Sequence, residues 1–230
     1  VIDSYYENVW EKGDLWGGFL VAKSDEILYE GYRGFTQENK QGPVNDTVAL
    51  HVASISKSIT AMAVMKLIEA GKLEMDVPLT KYFPGFPYPE VTVFTLLSQR
   101  SGLPKYEYFI EKIEPEPAEL SKKYISNHDI LNLLIRYKPE LARATNTGFM
   151  YCNTNYAVLA LLIEKVTGIS YPAYMKQNFF DPLAMDHSFV LSAKDSAKAT
   201  PSFDWRGNAI PLNYLDFVYG DKNIFSTARD

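Results

Sequence analysis

The stretch from Ser54 to Ala70 constrains this chain more than any other. Ile55, Ile59, Met62, Ala63, Val64, Met65, Leu67 and Ile68 are apolar, and the polar positions between them are few: Ser56, Lys57, Ser58, Thr60, Lys66 and Glu69. A helix apolar on nearly all sides is a buried helix, so the fold has to close around this one. Its first turn nevertheless holds Lys57. A helix N-terminus is partly positive and disfavours a cation, and burial disfavours the charged form of an amine. The i to i+3 spacing stacks Ser54 and Lys57 on one face, within side-chain reach. A hydroxyl beside a desolvated lysine is an activated nucleophile. Ser56 and Ser58 are rival hydroxyls, but neither stacks on Lys57 in this way. The competing reading of Lys57 is a snorkelling side chain with its head in water.

The remaining elements are read from periodicity and punctuation. Residues 3–12 are expected to form a helix capped by Asp3 or Ser4 and ended by Gly13. Gly18 to Lys23 and Glu26 to Gly34 read as a hairpin around Ser24-Asp25, a turn without glycine. Val48 to Val52 is an extended entry to Ser54, and Gly71 suits the end of the long helix. Thr92 caps a short helix through Leu97, and Ser126 or Asn127 caps one through Tyr137. Asn155 to Val166 is a strongly apolar helix closed by Gly168, and Ser170 caps another with Pro172 in its first turn. Residues 105–123, with Pro115 and Pro117, read as an exposed loop and a candidate active-site rim. After Asp186 the pattern weakens into loops and short strands. Strands first and helices afterwards imply an α+β fold. A two-stranded hairpin is not a stable sheet by itself, so its partners are expected near the C-terminus.

Composition removes several classes of function. The hydrophobic fraction of 47% and charged fraction of 22% suit a folded domain. A net charge of -5 without a basic cluster gives no reason to expect nucleic acid. No apolar run reaches the roughly 18 residues of a membrane-spanning helix, and no signal peptide is visible. Cys152 is the only cysteine, which excludes an intrachain disulfide.

A second cluster of candidate residues is Tyr151-Cys152-Asn153, just before the apolar helix. A tyrosine near a cation can act as a base, and Asn153 offers both a donor and an acceptor. The bland reading is a helix cap with a packed aromatic. Cys152 reads as a small buried residue more readily than as a nucleophile. There is no Gly-x-Ser-x-Gly elbow. His51, His128 and His187 are too scattered for a metal site, although His51 precedes Ser54 by three residues and leaves a Ser-His-Asp triad open. No cofactor is expected.

With these residues in view, the chain resembles the serine β-lactamase and penicillin-binding-protein superfamily. The likeness is to its class C-like branch of β-lactamases, D-alanyl-D-alanine carboxypeptidases and esterases. Gly17-Gly18-Phe19-Leu20-Val21-Ala22-Lys23 is similar to the opening strand. Val52-Ala53-Ser54-Ile55-Ser56-Lys57 is similar to the nucleophile helix with its Ser-x-x-Lys motif. Leu96-Leu97-Ser98-Gln99-Arg100-Ser101-Gly102-Leu103-Pro104 is similar to the next landmark, and Tyr151-Cys152-Asn153 to the Tyr-x-Asn region.

The resemblance implies a β-lactamase/transpeptidase-like fold, an antiparallel sheet flanked by helices plus an all-helical lobe. It implies one domain over residues 1–230. An N-terminal helix and first strands would occupy 1–50, a mainly helical lobe with the nucleophile helix 51–190, and a return toward the sheet 191–230. Ser54 would be acylated, Lys57 and Tyr151 would share proton transfer, and Asn153 would bind substrate or the lysine. The Ser54 N–H would form half of an oxyanion hole. The substrate would be a small molecule or a peptidoglycan peptide, met in the periplasm or outside the cell. Gln99-Arg100 departs from the usual His-Thr, and Cys152 from the usual serine. The family's third motif, Lys-Thr-Gly or His-Thr-Gly on a later strand, is not among these residues. The expectation is therefore a domain lacking its C-terminal strands, with little turnover, or a non-catalytic penicillin-binding sensor.

Overall fold

The computed structural model describes residues 2–12, 16–37, 40–113, 122–192 and 195–230. The N-terminal helix α1 covers Ile2–Lys12, as its pattern implies, while Gly13 lies outside the described residues. It packs on a hairpin of β1 (Gly17–Lys23) and β2 (Glu26–Arg33), with Gly17 opposite Arg33 and Lys23 opposite Glu26. Tyr6 stacks on Tyr29 of β2 at 4.9 Å between ring centroids. The hairpin turns without glycine because Ser24 itself takes a left-handed backbone (φ 56°).

Among the described residues no third strand joins this hairpin. A side chain from the C-terminal segment reaches the hairpin. Arg229 donates two parallel hydrogen bonds to the Glu30 carboxylate at 2.6 and 2.8 Å, which hold that carboxyl down at about 2. A separate three-stranded antiparallel sheet is built from β3 (Leu50–His51), β4 (Phe189–Val190) and, between them, β7 (Ile224–Ser226). The pair β5 (Ser202–Phe203) and β6 (Ala209–Ile210) makes a small hairpin.

The helical lobe contains α2 (Ser56–Glu69), α3 (Val93–Leu97), α4 (Tyr106–Phe109), α5 (Asn127–Tyr137), α6 (Asn153–Thr167) and α7 (Tyr171–Met175). Helix α6 is its centre and touches α2, α3, α5 and α7. All ten of its residues from Thr154 to Ile163 are buried. Burying one large aliphatic side chain is worth about 1.5–3 kcal/mol, so Val158, Leu159, Leu161, Leu162 and Ile163 make α6 a large apolar contribution to the lobe. It begins two residues earlier than the apolar run and closes at Gly168, whose φ is 75°. Thr92 and Ser126 both cap as expected, each in a reciprocal capping box, with Thr95 and Asp129. Ser170 does not cap α7 through its side chain; the Tyr171 N–H donates to the Glu164 carboxylate at 2.7 Å instead. Within the stretch read as a rim, residues 106–109 are helical, and 114–121, with both prolines, lie outside the described residues.

Helix α2 departs from its expected burial in an informative way. Met62 and Met65 are exposed, at 58% and 46%, as is Ile55 just before the helix at 64%, while the polar Ser56, Lys57 and Thr60 are buried. The inversion has a hydrogen-bonding cause. Residues 220–224 lie along the polar side of α2. Thr60 donates to the Gly220 carbonyl at 2.7 Å, and Ser56 accepts from the Ile224 N–H at 3.1 Å. Buried polar groups are tolerated when paired, and here the pairing decides which face of α2 turns inward. No helix among the described residues is long and apolar enough to cross a membrane.

Candidate active site

Ser54 lies not in α2 but in a 3-10 turn, Ala53–Ile55, that links β3 to the helix. Ala53 is left-handed, with φ 46°. Such a backbone costs about 1–3 kcal/mol in a residue other than glycine. The turn is tied on both sides: the Val52 N–H donates to the Ile224 carbonyl at 3.0 Å, and the Ile55 N–H to the Val52 carbonyl at 3.1 Å. The result leaves Ser54 exposed and Lys57 buried. A lysine only 6% exposed is not snorkelling.

Lys57 Nζ donates to Ser54 Oγ at 3.1 Å and to the Asp221 main-chain carbonyl at 2.6 Å. Ser54 Oγ is 2.7 Å from the Tyr151 hydroxyl. Lys57 Nζ lies 4.8 Å from the centroid of the Tyr151 ring and 6.0 Å from that of Tyr156. Two hydroxyls therefore meet at the surface with an amine directly beneath them. Such a chain can take the proton from an attacking serine and hand it to a leaving group.

Of the four residues picked from sequence, Ser54, Lys57 and Tyr151 come together. Asn153 is placed differently: its Nδ2 donates to Glu107 on α4, not to Lys57. Asn153 Oδ1 and Glu107 Oε2 have no hydrogen-bond partner among the described residues. The other candidates fall away. Burial pushes the Cys152 thiol up, and its Sγ–H donates to the Leu103 carbonyl at 3.3 Å. His51 stacks on Phe225, its Nε2 accepts from the Asn223 N–H at 3.3 Å, and burial lowers its pKa. Among the described residues no three His, Cys, Asp or Glu side chains are grouped to hold a metal.

Sequence reasoning missed the residues that hold this trio. Gln99 has a left-handed backbone, φ 57°, and a buried side chain. Its Oε1 accepts from the Cys152 N–H at 3.0 Å and from Asn155 Nδ2 at 2.6 Å, and its carbonyl accepts from the Met150 N–H at 2.8 Å. These three bonds bracket Tyr151. Arg100 binds Asn146 through Nε and Nη2, both at 2.9 Å. Gln99-Arg100 is thus a clamp on the tyrosine loop, signalled in sequence only as a departure from a pattern. Gln99→Ala leaves two buried donors unpaired but also removes the Gln99 Nε2, itself buried without a partner among the described residues, for a net cost of about 2 kcal/mol. The thermal midpoint is expected to fall by about 4–8 °C at 2–4 °C per kcal/mol; an unchanged midpoint would remove the clamp.

Residues 2–230 match the sequence family described as Beta-lactamase. The chain belongs to that family, within the serine β-lactamase and penicillin-binding-protein superfamily. It is 32% identical to penicillin-binding protein 4* of Bacillus subtilis (strain 168), over 100% of this chain and 53% of that protein. It is 30% identical to protein flp of Staphylococcus aureus (strain NCTC 8325 / PS 47), over 96% of this chain and 44% of that protein. The chain spans about half the length of these curated relatives. Among solved structures, a penicillin binding protein from Bacillus halodurans superposes with a TM-score of 0.80 at 26% identity, covering 97% of this chain and 69% of that one.

Proposed function

We propose that this chain holds the nucleophile side of a class C-like serine hydrolase that forms an acyl-enzyme on Ser54. Its substrate class is a β-lactam, a D-Ala peptide or a small ester. The observation that carries the reading is the unbroken path from Lys57 Nζ to Ser54 Oγ at 3.1 Å and on to the Tyr151 hydroxyl at 2.7 Å.

On this reading Ser54 Oγ attacks the substrate carbonyl and its proton passes to the Lys57–Tyr151 pair. The Ser54 N–H supports the developing oxyanion. The carbonyl then re-forms, the bond to the leaving group breaks, and the pair returns the proton to that group. A water molecule, deprotonated by the same pair, opens the ester and restores the Ser54 hydroxyl. Asn153, tethered to Glu107 on α4, is the candidate substrate-binding residue beside this pair. The site of action is the periplasm or the cell exterior, where peptidoglycan peptides occur.

The test is mass spectrometry of the purified protein after incubation with a penicillin. The intact mass is expected to rise by one ligand, with the adduct in the peptide containing Ser54. No adduct, or an adduct elsewhere, overturns the reading. Release of the adduct within minutes marks a hydrolase; persistence for hours marks a penicillin-binding sensor.

A further inference from the structure

We propose that Asp221 is a positioning residue for Lys57, joining the lysine through its main-chain carbonyl to Tyr106 through its carboxylate. This deepens the reading above and rests on Lys57 serving Ser54. The carbonyl contact, at 2.6 Å, is the shorter of the two hydrogen bonds Lys57 Nζ makes, so the carbonyl is the amine's closer anchor. That carbonyl is itself held. The preceding Gly220 carbonyl takes the Thr60 hydroxyl at 2.7 Å, and the Asp221 side chain is anchored by the Tyr106 hydroxyl, which donates to Oδ2 at 2.8 Å. Tyr106 is fully buried, and its N–H donates to Thr154 Oγ1 at 2.8 Å.

Nothing in apolar packing calls for a carboxyl here. Asp221 is wholly buried, and its Oδ1 has no hydrogen-bond partner among the described residues. A buried, half-satisfied acid is costly, which sets it apart from a filler residue. The groups that face it come from several elements. Lys57 approaches from α2, and Tyr106 and Glu107 from α4. Tyr171 of α7 feels its charge, and Lys222 follows it in the chain, 3.4 Å from Asp216. The rings of Tyr151 and Tyr156 flank the lysine it holds. Burial pushes the Asp221 carboxyl up to about 6, against the downward pull of Lys222, the Tyr106 hydrogen bond and Lys57. The clamp is therefore ionised above about pH 6 and neutral below it, so acylation should carry an inflection there.

The experiment is an NMR titration of Asp221 in protein labelled with 13C at the aspartate carboxyl, in the wild type, Lys57→Met and Tyr106→Phe. It is paired with pH profiles of penicillin acylation that include Asp221→Asn. The wild-type midpoint is expected near 6 and is expected to rise in both variants, because each removes a group that favours the carboxylate. Asp221→Asn is expected to erase the inflection near pH 6, while the non-covalent Kd for penicillin stays within about twofold. A midpoint that does not move in Lys57→Met, or an inflection that survives in Asp221→Asn, overturns the proposal. The titration needs no turnover. A protein that titrates as expected yet never acylates counts against the hydrolase reading and leaves the Asp221 clamp standing. If Asp221→Asn does not fold, Tyr106→Phe decides the kinetic arm, with its inflection expected to shift upward.

Discussion

Replacing Lys57 by methionine is expected to slow acylation by about 100- to 10,000-fold, the range typical of losing a positioned acid–base group. The substitution keeps an unbranched apolar stem in a site where Lys57 is 6% exposed, and removes only the amine. Two hydrogen bonds disappear, the one to Ser54 Oγ and the one to the Asp221 carbonyl. Losing the second leaves a buried acceptor unpaired, at about 1–3 kcal/mol. Burying methionine in place of a polar amine returns a comparable amount, since burying a polar group is expensive. Stability should therefore change little while chemistry collapses. Single-turnover labelling with a fluorescent penicillin, run beside a thermal melt, separates the two. A labelling rate within a few-fold of wild type would take the lysine out of the mechanism.

The second large effect is structural. Gly220→Ala is expected to destabilise the protein by about 2–5 kcal/mol, combining a left-handed backbone penalty with overpacking. Gly220 has φ 93°, and a Cβ there would collide with the Tyr156 carbonyl oxygen and come within 2.7 Å of Ala160 Cβ. Both belong to α6, whose buried backbone has no room to retreat. Gly168→Ala is the matched control. Gly168 has φ 75°, and a methyl group added there would meet no atom within 4 Å, so it bears the backbone penalty alone. Urea unfolding of the two variants isolates the clash. Equal losses would mean that α6 does not pin the 220–224 segment. The same substitution should also lower acylation, because the carbonyl that follows Gly220 is the one Lys57 holds.

The parts of this molecule that are legible in sequence are those encoded by near neighbours. Ser54 and Lys57 are three residues apart, and the spacing alone brings them together. Thr92, Ser126, Gly71 and Gly168 mark helix ends through chemistry confined to one turn. The apolar run at 155–166 identifies α6 because burial on every side leaves a continuous signature. What stays hidden depends on distant pairing. Tyr106 and Asp221 are 115 residues apart, Lys57 and Asp221 are 164 apart, and neither pair follows any period. Gln99 reads as an anomaly because its partners, Cys152 and Asn155, lie more than 50 positions away. The exposed methionines of α2 escape the pattern for the same reason. An all-round apolar helix says that it is buried, but only residues 220–224 say which side. Strands of two or three residues, such as β3, β4 and β7, are too short for alternation to show.

The left-handed alanine before Ser54 limits how this gene can drift. A branched side chain at position 53 would be a severe outlier at φ 46°, so valine, isoleucine and threonine are closed to it although Ala53 is exposed. Glycine is the replacement with the least backbone strain, but it would let the turn relax among conformers that alanine excludes. Position 53 makes no side-chain hydrogen bond to the candidate trio, yet it sets the direction in which the serine hydroxyl faces. A surface residue of one methyl group is thus constrained by chain direction and not by chemistry.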